Sequence, residues 1–162
     1  MPPLPPDPDP GLIVHCDGAA RGNPGPAGIG VVVTDGTGRT VAELAQGIGA
    51  ATNNVAEYRA AIAGLRLAAE RGARRIILRS DSRLLVEQLE GRFRVKNPTL
   101  QRLYQEARAL IREFEHVAIE HVPRDQNAKA DRLANQGIDQ WLAGEGRDYS
   151  PPEPSPPLFE GE

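Results

Sequence analysis

Four carboxylates stand where a carboxylate needs a reason. Asp17 closes the apolar run Leu12-Ile13-Val14-His15-Cys16, and Asp81 closes the run Ile76-Ile77-Leu78-Arg79-Ser80. A charge at a buried strand end must be hydrogen-bonded, paired or metal-bound, because an unpartnered one is costly. Glu57 falls in the first turn of a helical pattern, one position off its apolar stripe, beside Ala61, Gly64 and Ala68. Asp131 falls in the last helical pattern, with Asn127 and Asn135 four residues to either side. Each has a plain structural explanation when taken singly. Asp17 can be a turn residue before Gly18, and Asp81 can cap the next helix. Glu57 can close a capping box with Asn54, and Asp131 can lie on a solvated face. Together, two strand ends and two helices supply four oxygen donors that one α/β domain can gather at one edge. Hard oxygen ligands without thiols or clustered histidines select Mg²⁺ or Mn²⁺ rather than zinc. Two such ions activate a water and stabilise the leaving oxygen of an in-line phosphoryl displacement.

The elements that must position these groups are readable from pattern. Residues 12–17, 27–35 and 39–48 read as three strands, with Asn23-Pro24-Gly25-Pro26 and Asp35-Gly36-Thr37-Gly38 as turns. They form an antiparallel meander. A helix is expected over 53–70, where Val55, Tyr58, Ile62, Leu65 and Ala69 make one stripe; Asn53 or Asn54 can cap it and Gly72 ends it. A fourth strand follows at 75–81 and a short helix at 82–90, which Ser82 can help cap. The loop 91–97 is basic. Pro98 opens a helix to about 115, striped by Leu100, Leu103, Ala107, Leu110 and Phe114. A fifth strand at 116–122 and a helix at 127–142 complete the order βββ-α-β-α-α-β-α. The expected class is α/β, a mixed five-stranded sheet of three antiparallel strands then two parallel ones, flanked by helices. The ends of the first and fourth strands meet at one edge, where α/β sites form.

Composition bounds the reading. The chain has 162 residues, 40% hydrophobic and 25% charged, which suits one folded domain. No apolar run approaches the roughly 20 residues of a membrane helix, and Met1–Pro10 has neither the basic nor the apolar region of a secretory signal. The single cysteine, Cys16, has no intramolecular disulfide partner and reads as core. A cytoplasmic location is the expectation. Prolines concentrate in 1–10 and 151–157, so 1–10 and 144–162 read as disordered spacer tails around a folded body at 11–143. The formal charge of −3 argues against a nucleic-acid partner. Set the four carboxylates aside, and 18 acidic residues face 19 basic ones, so the field at a bound phosphate can still be positive.

Four stretches, in order, resemble the type I ribonuclease H family. They are Asp17-Gly18-Ala19-Ala20-Arg21-Gly22-Asn23-Pro24-Gly25, Thr52-Asn53-Asn54-Val55-Ala56-Glu57-Tyr58, Ser80-Asp81-Ser82, and Asn127-Ala128-Lys129-Ala130-Asp131-Arg132-Leu133-Ala134-Asn135. The resemblance covers about 11–140. It implies the ribonuclease H-like fold and Mg²⁺-dependent cleavage of the RNA strand of an RNA–DNA hybrid, leaving 3′-hydroxyl and 5′-phosphate ends. It implies Asp17, Glu57, Asp81 and Asp131 as ligands of two ions, Mg²⁺ with Mn²⁺ as a substitute. It implies substrate contacts from Gly18, Ala19, Ala20, Asn23, Asn53 and Asn54 near the 2′-hydroxyls, joined by Thr52, Ser82 and Asn127. Short amides and backbone groups can donate to and accept from a 2′-OH, which separates RNA from DNA.

Three features depart from the family pattern. Many members carry a histidine in the loop after the fifth strand. Here His121 alternates with Ile119 and Val117 as a structural or rim residue, and Arg124 is the loop candidate. Arg124 can stabilise phosphate charge or steer product but cannot serve as a base, since a guanidinium keeps its proton near neutrality; a plain surface arginine is the alternative. The basic protrusion of some members is missing, with Arg92, Arg94 and Lys96 as a modest substitute. Val55 stands where some relatives place a phosphate-gripping arginine. The expected partner is an RNA–DNA hybrid, with double-stranded RNA second, and the expected state is a monomer with no obligate protein partner and no membrane. Two other readings stay open here: a non-catalytic nucleic-acid-binding module, and a DNA or junction nuclease of the same broad fold. Turnover of a hybrid against that of a DNA duplex separates them.

Overall fold

The computed structural model describes residues 11–144. Five strands form one sheet: β1 (Leu12–Ala20), β2 (Gly25–Thr34), β3 (Thr40–Ala51), β4 (Arg75–Ser80) and β5 (His116–His121), in the order β3-β2-β1-β4-β5. β1–β2 and β2–β3 are antiparallel, while β1–β4 and β4–β5 are parallel. The helices are α1 (Asn53–Glu70), α2 (Arg83–Leu89), α3 (Pro98–Ile111) and α4 (Ala128–Ala143), with one 3₁₀ turn at Arg124–Gln126. The architecture and element order agree with the sequence pattern. The 1–10 tail and residues 145–162 of the second tail lie outside the described residues.

Strand alternation sorts the sheet into two faces. Val14, Cys16, Ile29, Val31 and Val33 form the core against Tyr58, Ile62 and Leu65 of α1, with Leu100 and Ala107 of α3 behind. On the other face α4 lies across β2 and β3, with Ala130, Ala134 and Ile138 buried. Among the described residues no helix is long and apolar enough to cross a membrane.

Three details differ from the pattern. β1 does not stop at Asp17. It runs on to Ala20, because Gly18, Ala19 and Ala20 keep pairing with β2 after the pairing with β4 has ended at Cys16–Ser80. Asp17 is therefore mid-strand, at the point where the sheet opens on one side. The α1 cap is Thr52, whose hydroxyl accepts from the Val55 N–H, rather than Asn53 or Asn54. α3 ends at Ile111, and Phe114 reaches the core from the turn beyond it.

Candidate active site

Two glycines decide how closely the helices approach β1. A Cβ at Gly18 would overlap the backbone of Ala56 and Glu57, so only glycine lets the first turn of α1 rest on the strand. That contact brings the Glu57 carboxylate to the Gly18 N–H, which donates to its Oε1 at 2.6 Å. On the opposite face, a Cβ at Gly30 would overlap Ala130 and Ala134 of α4. Gly30 is the β2 partner of Asp17, so the same close approach carries Asp131 towards Asp17. The two groups sit near enough to hydrogen-bond.

The turn between β1 and β2 ties both helices to this edge. The Arg21 guanidinium pairs with Asp139 at 2.8 Å and donates to the Asn135 side chain, both on α4. The Asn23 side-chain oxygen accepts from the Asn53 N–H at the head of α1. Asn127 is buried and donates to the Cys16 carbonyl at 2.9 Å, pinning the start of α4 beside Asp17.

Asp17, Glu57 and Asp81 each offer an oxygen, and these lie within 4.8 Å of one another. Asp17 and Glu57 are almost fully buried, while Asp81, directly after β4, is half-buried. The structural uses open to these side chains are taken by hydroxyls. Thr52 caps α1, so Glu57 is not spent on a capping box. Ser82 caps α2 through the Leu85 N–H, so Asp81 is not the cap. Asp131 faces Asp17 rather than a purely solvated surface.

The electrostatics follow from this crowding. Burial, then Glu57, Asp81 and Asp131, push the Asp17 carboxyl up to about 10. Burial pushes Glu57 up to about 8 against the opposing pull of the Gly18 N–H, and the Arg124 guanidinium also favours its charged form. Arg124 is thus within electrostatic reach of the cluster, on the exposed 3₁₀ turn. Burial, then the same carboxylates, raise the Cys16 thiol well above its usual range, so it is no nucleophile. A hard divalent cation fits this donor set. It would neutralise carboxylates that otherwise desolvate and repel one another, and the set contains no sulfur or imidazole. The buried side-chain oxygen of Asn127 also lacks a partner beside this edge.

The other sequence candidates are placed as follows. Gly18, Ala19 and Ala20 form the last residues of β1, with Asn23 exposed in the turn after it. Asn53 is exposed and Asn54 half-buried at the head of α1. The hydroxyls of Thr52 and Ser82 serve as caps, and the Asn127 amide serves β1. His121 ends β5 in an exposed position near Glu87, opposite Ser80 of β4. The positioning roles of Gly30 and Arg21 emerge only from the fold. Their signals were present: Gly28 and Gly30 alternate on one face of a β-branched strand, and Arg21 lies inside the first motif.

Comparison with known proteins agrees with this geometry. A family described as "Reverse transcriptase-like" matches residues 15–137. The chain is 49% identical to "Ribonuclease HI" of Halobacterium salinarum over 134 residues, 82% of this chain and 67% of that protein. The chain belongs to the ribonuclease H family. The solved structure of the Halobacterium ribonuclease H1 superposes with a TM-score of 0.78 at 47% identity, covering 80% of this chain and 98% of that one. The chain is 48% identical to "Bifunctional protein Rv2228c" of Mycobacterium tuberculosis over 86% of its own length, but spans only 39% of that protein. A ribonuclease H1 isolated from compost by a metagenomic approach, LC11-RNase H1, was solved in complex with an RNA/DNA hybrid. It has a TM-score of 0.77 and 43% identity, covering 81% of this chain and 99% of that one.

Proposed function

We propose that this protein is a divalent-metal-dependent endonuclease that hydrolyses the RNA strand of RNA–DNA hybrids, leaving 3′-hydroxyl and 5′-phosphate ends. The observation that carries the reading is the meeting of Asp17, Glu57 and Asp81 within 4.8 Å at the open edge of the sheet. Membership of the ribonuclease H family and the hybrid-bound relative support it.

Asp17, Glu57, Asp81 and Asp131 would hold two cations, Mg²⁺ in the first instance and Mn²⁺ as a substitute. When bound, such ions supply water activation and charge neutralisation at the leaving oxygen. The protein's own part is preorganisation. Gly18 and Gly30 bring two helices to one strand, and the Gly18 N–H fixes one Glu57 oxygen beside Asp17. Arg124 offers a fixed positive charge beside the site, suited to a phosphate in the transition state or to departing product. Gly18, Ala19, Ala20, Asn23, Asn53 and Asn54 would meet the 2′-hydroxyls. Thr52, Ser82 and Asn127 act on substrate through the backbone they hold. The protein acts as a monomer in the cytoplasm, with double-stranded RNA as its secondary substrate.

The test compares end-labelled hybrid, RNA duplex and DNA duplex in Mg²⁺ and in Mn²⁺. The expected result is cleavage confined to RNA strands, strongest in the hybrid, with 3′-hydroxyl and 5′-phosphate products. Cutting of the DNA duplex, or tight hybrid binding without turnover in either metal, would replace this reading with a DNA nuclease or a binding module.

A further inference from the structure

Gln88 is a buried amide outside the three-carboxylate cluster. Its side-chain oxygen accepts from the Tyr58 hydroxyl at 2.6 Å, and its side-chain nitrogen donates to the Arg94 carbonyl at 3.1 Å. Chemistry fixes this orientation. A carbonyl can only accept, so the nitrogen must face Arg94, and the oxygen is left for the hydroxyl. Tyr58 directly follows Glu57 on α1, and α2, which carries Gln88, begins two residues after Asp81. The pair therefore joins the elements that adjoin two cluster carboxylates to the loop 91–97. That loop is gripped along its length. The Glu87 carbonyl accepts from the Arg92 and Phe93 N–H groups, and the Glu87 carboxylate takes the Arg92 guanidinium in a two-pronged ion pair. Gln101 donates to the Val95 carbonyl at 2.9 Å, and Asn97 caps α3. Arg92 is thus neutralised. Arg94 and Lys96, on either side of half-buried Val95, are exposed and have no ion-pair partner among the described residues.

We propose that Gln88, held by Tyr58, is a positioning residue for the substrate. It locks the loop so that Arg94 and Lys96 meet backbone phosphates of a duplex whose scissile strand lies at the carboxylates. The inference rests on the function proposed above and deepens it. Along the chain, α2 is nearly all that separates Asp81 from the loop. At seven residues it is about 10 Å long, comparable to the roughly 12 Å width of a duplex groove. Surface loops are ordinarily the mobile parts of a fold, and ordering one on binding weakens affinity. A clamp from the core removes that cost for two cations. It also accounts for a polar pair where an aliphatic one would fill the space without a desolvation penalty.

The test is steady-state cleavage of an RNA–DNA hybrid in Mg²⁺ across a salt series, with hydrogen exchange of residues 91–96 alongside. Tyr58→Phe plus Gln88→Met replaces both partners of the buried bond together, so little stability is lost. This pair should raise KM several-fold, change kcat far less, and speed exchange in the loop. The logarithmic dependence of KM on salt should flatten by about one to two, roughly one for each phosphate contact released. Arg94→Ala plus Lys96→Ala should give the same changes in KM and slope. Combining all four substitutions should bring no further rise. Wild-type KM and slope in the Tyr58→Phe plus Gln88→Met protein would overturn the inference and leave Gln88 as core packing. So would wild-type KM in the Arg94→Ala plus Lys96→Ala protein, which touches no buried group, or effects of the two pairs that simply multiply. Wild-type protein that leaves the hybrid uncut would overturn the proposed function and this inference with it.

Discussion

Replacing Asp17 with asparagine is expected to stabilise the metal-free protein while it destroys the site. Asp17, Glu57 and Asp81 offer oxygens within 4.8 Å of one another. Two unit charges about 4.8 Å apart repel by about 3.5 kcal/mol at an effective dielectric near 20. Proton sharing within the cluster reduces what can be recovered, so Asp17→Asn should gain about 1–3 kcal/mol in EDTA at pH 8. At pH 5 the gain should shrink: the Asp17 carboxyl, pushed up to about 10, holds its proton in the folded protein at both pH values, but taking up that proton on folding costs less at pH 5, nearer the 3.8 of the unfolded chain, than at pH 8. Saturating Mg²⁺ should reverse the order. A ligand at 100 times its Kd adds about 2.7 kcal/mol, available to the wild type and largely lost to the variant. Urea unfolding followed by circular dichroism reads all four conditions. A variant less stable than wild type in EDTA at pH 8 would refute the electrostatic reasoning. So would equal stabilisation of both proteins by Mg²⁺.

Without metal, wild-type stability should fall as pH rises. Glu57 titrates near its ordinary 4.5 when unfolded and is pushed up to about 8 when folded. The folded state then holds the extra proton, its stabilisation is full below about pH 4.5, and it is lost as pH climbs through 8; calorimetric scans in EDTA would show Tm dropping across that window. Gly30→Ala should force α4 off β2, cost more than about 2 kcal/mol and abolish cleavage, whereas the same change at solvent-facing Gly38 should leave cleavage intact. Thr52→Ala should remove the α1 cap at a cost of about 1 kcal/mol in urea melts. Tyr58→Phe should leave the buried Gln88 side-chain oxygen without its 2.6 Å donor and cost about 1–3 kcal/mol.

The sequence made the order of elements legible because its signals are clean: alternation in 116–122, a 3-4 stripe in α1, and Pro98 at the head of α3. It left ambiguous which side chains cap and which do chemistry. Glu57 and Asp81 fit a cap as well as a ligand until Thr52 and Ser82 are seen to hold the helix N–H groups. Pattern alone ends β1 at Asp17 because Gly18-Ala19-Ala20 has weak strand propensity; pairing with β2 overrides it. The linkage of Arg21 to α4 joins residues more than a hundred positions apart, and no local period encodes such a contact.

The most direct test is anomalous scattering from crystals soaked in Mn²⁺, collected with and without a hybrid bound to the Asp131→Asn variant. The account predicts a peak about 2.1 Å from carboxylate oxygens at the Asp17, Glu57 and Asp81 cluster, joined by a second once the hybrid is in place. Manganese bound elsewhere on the surface, with the cluster empty in both crystals, would contradict it.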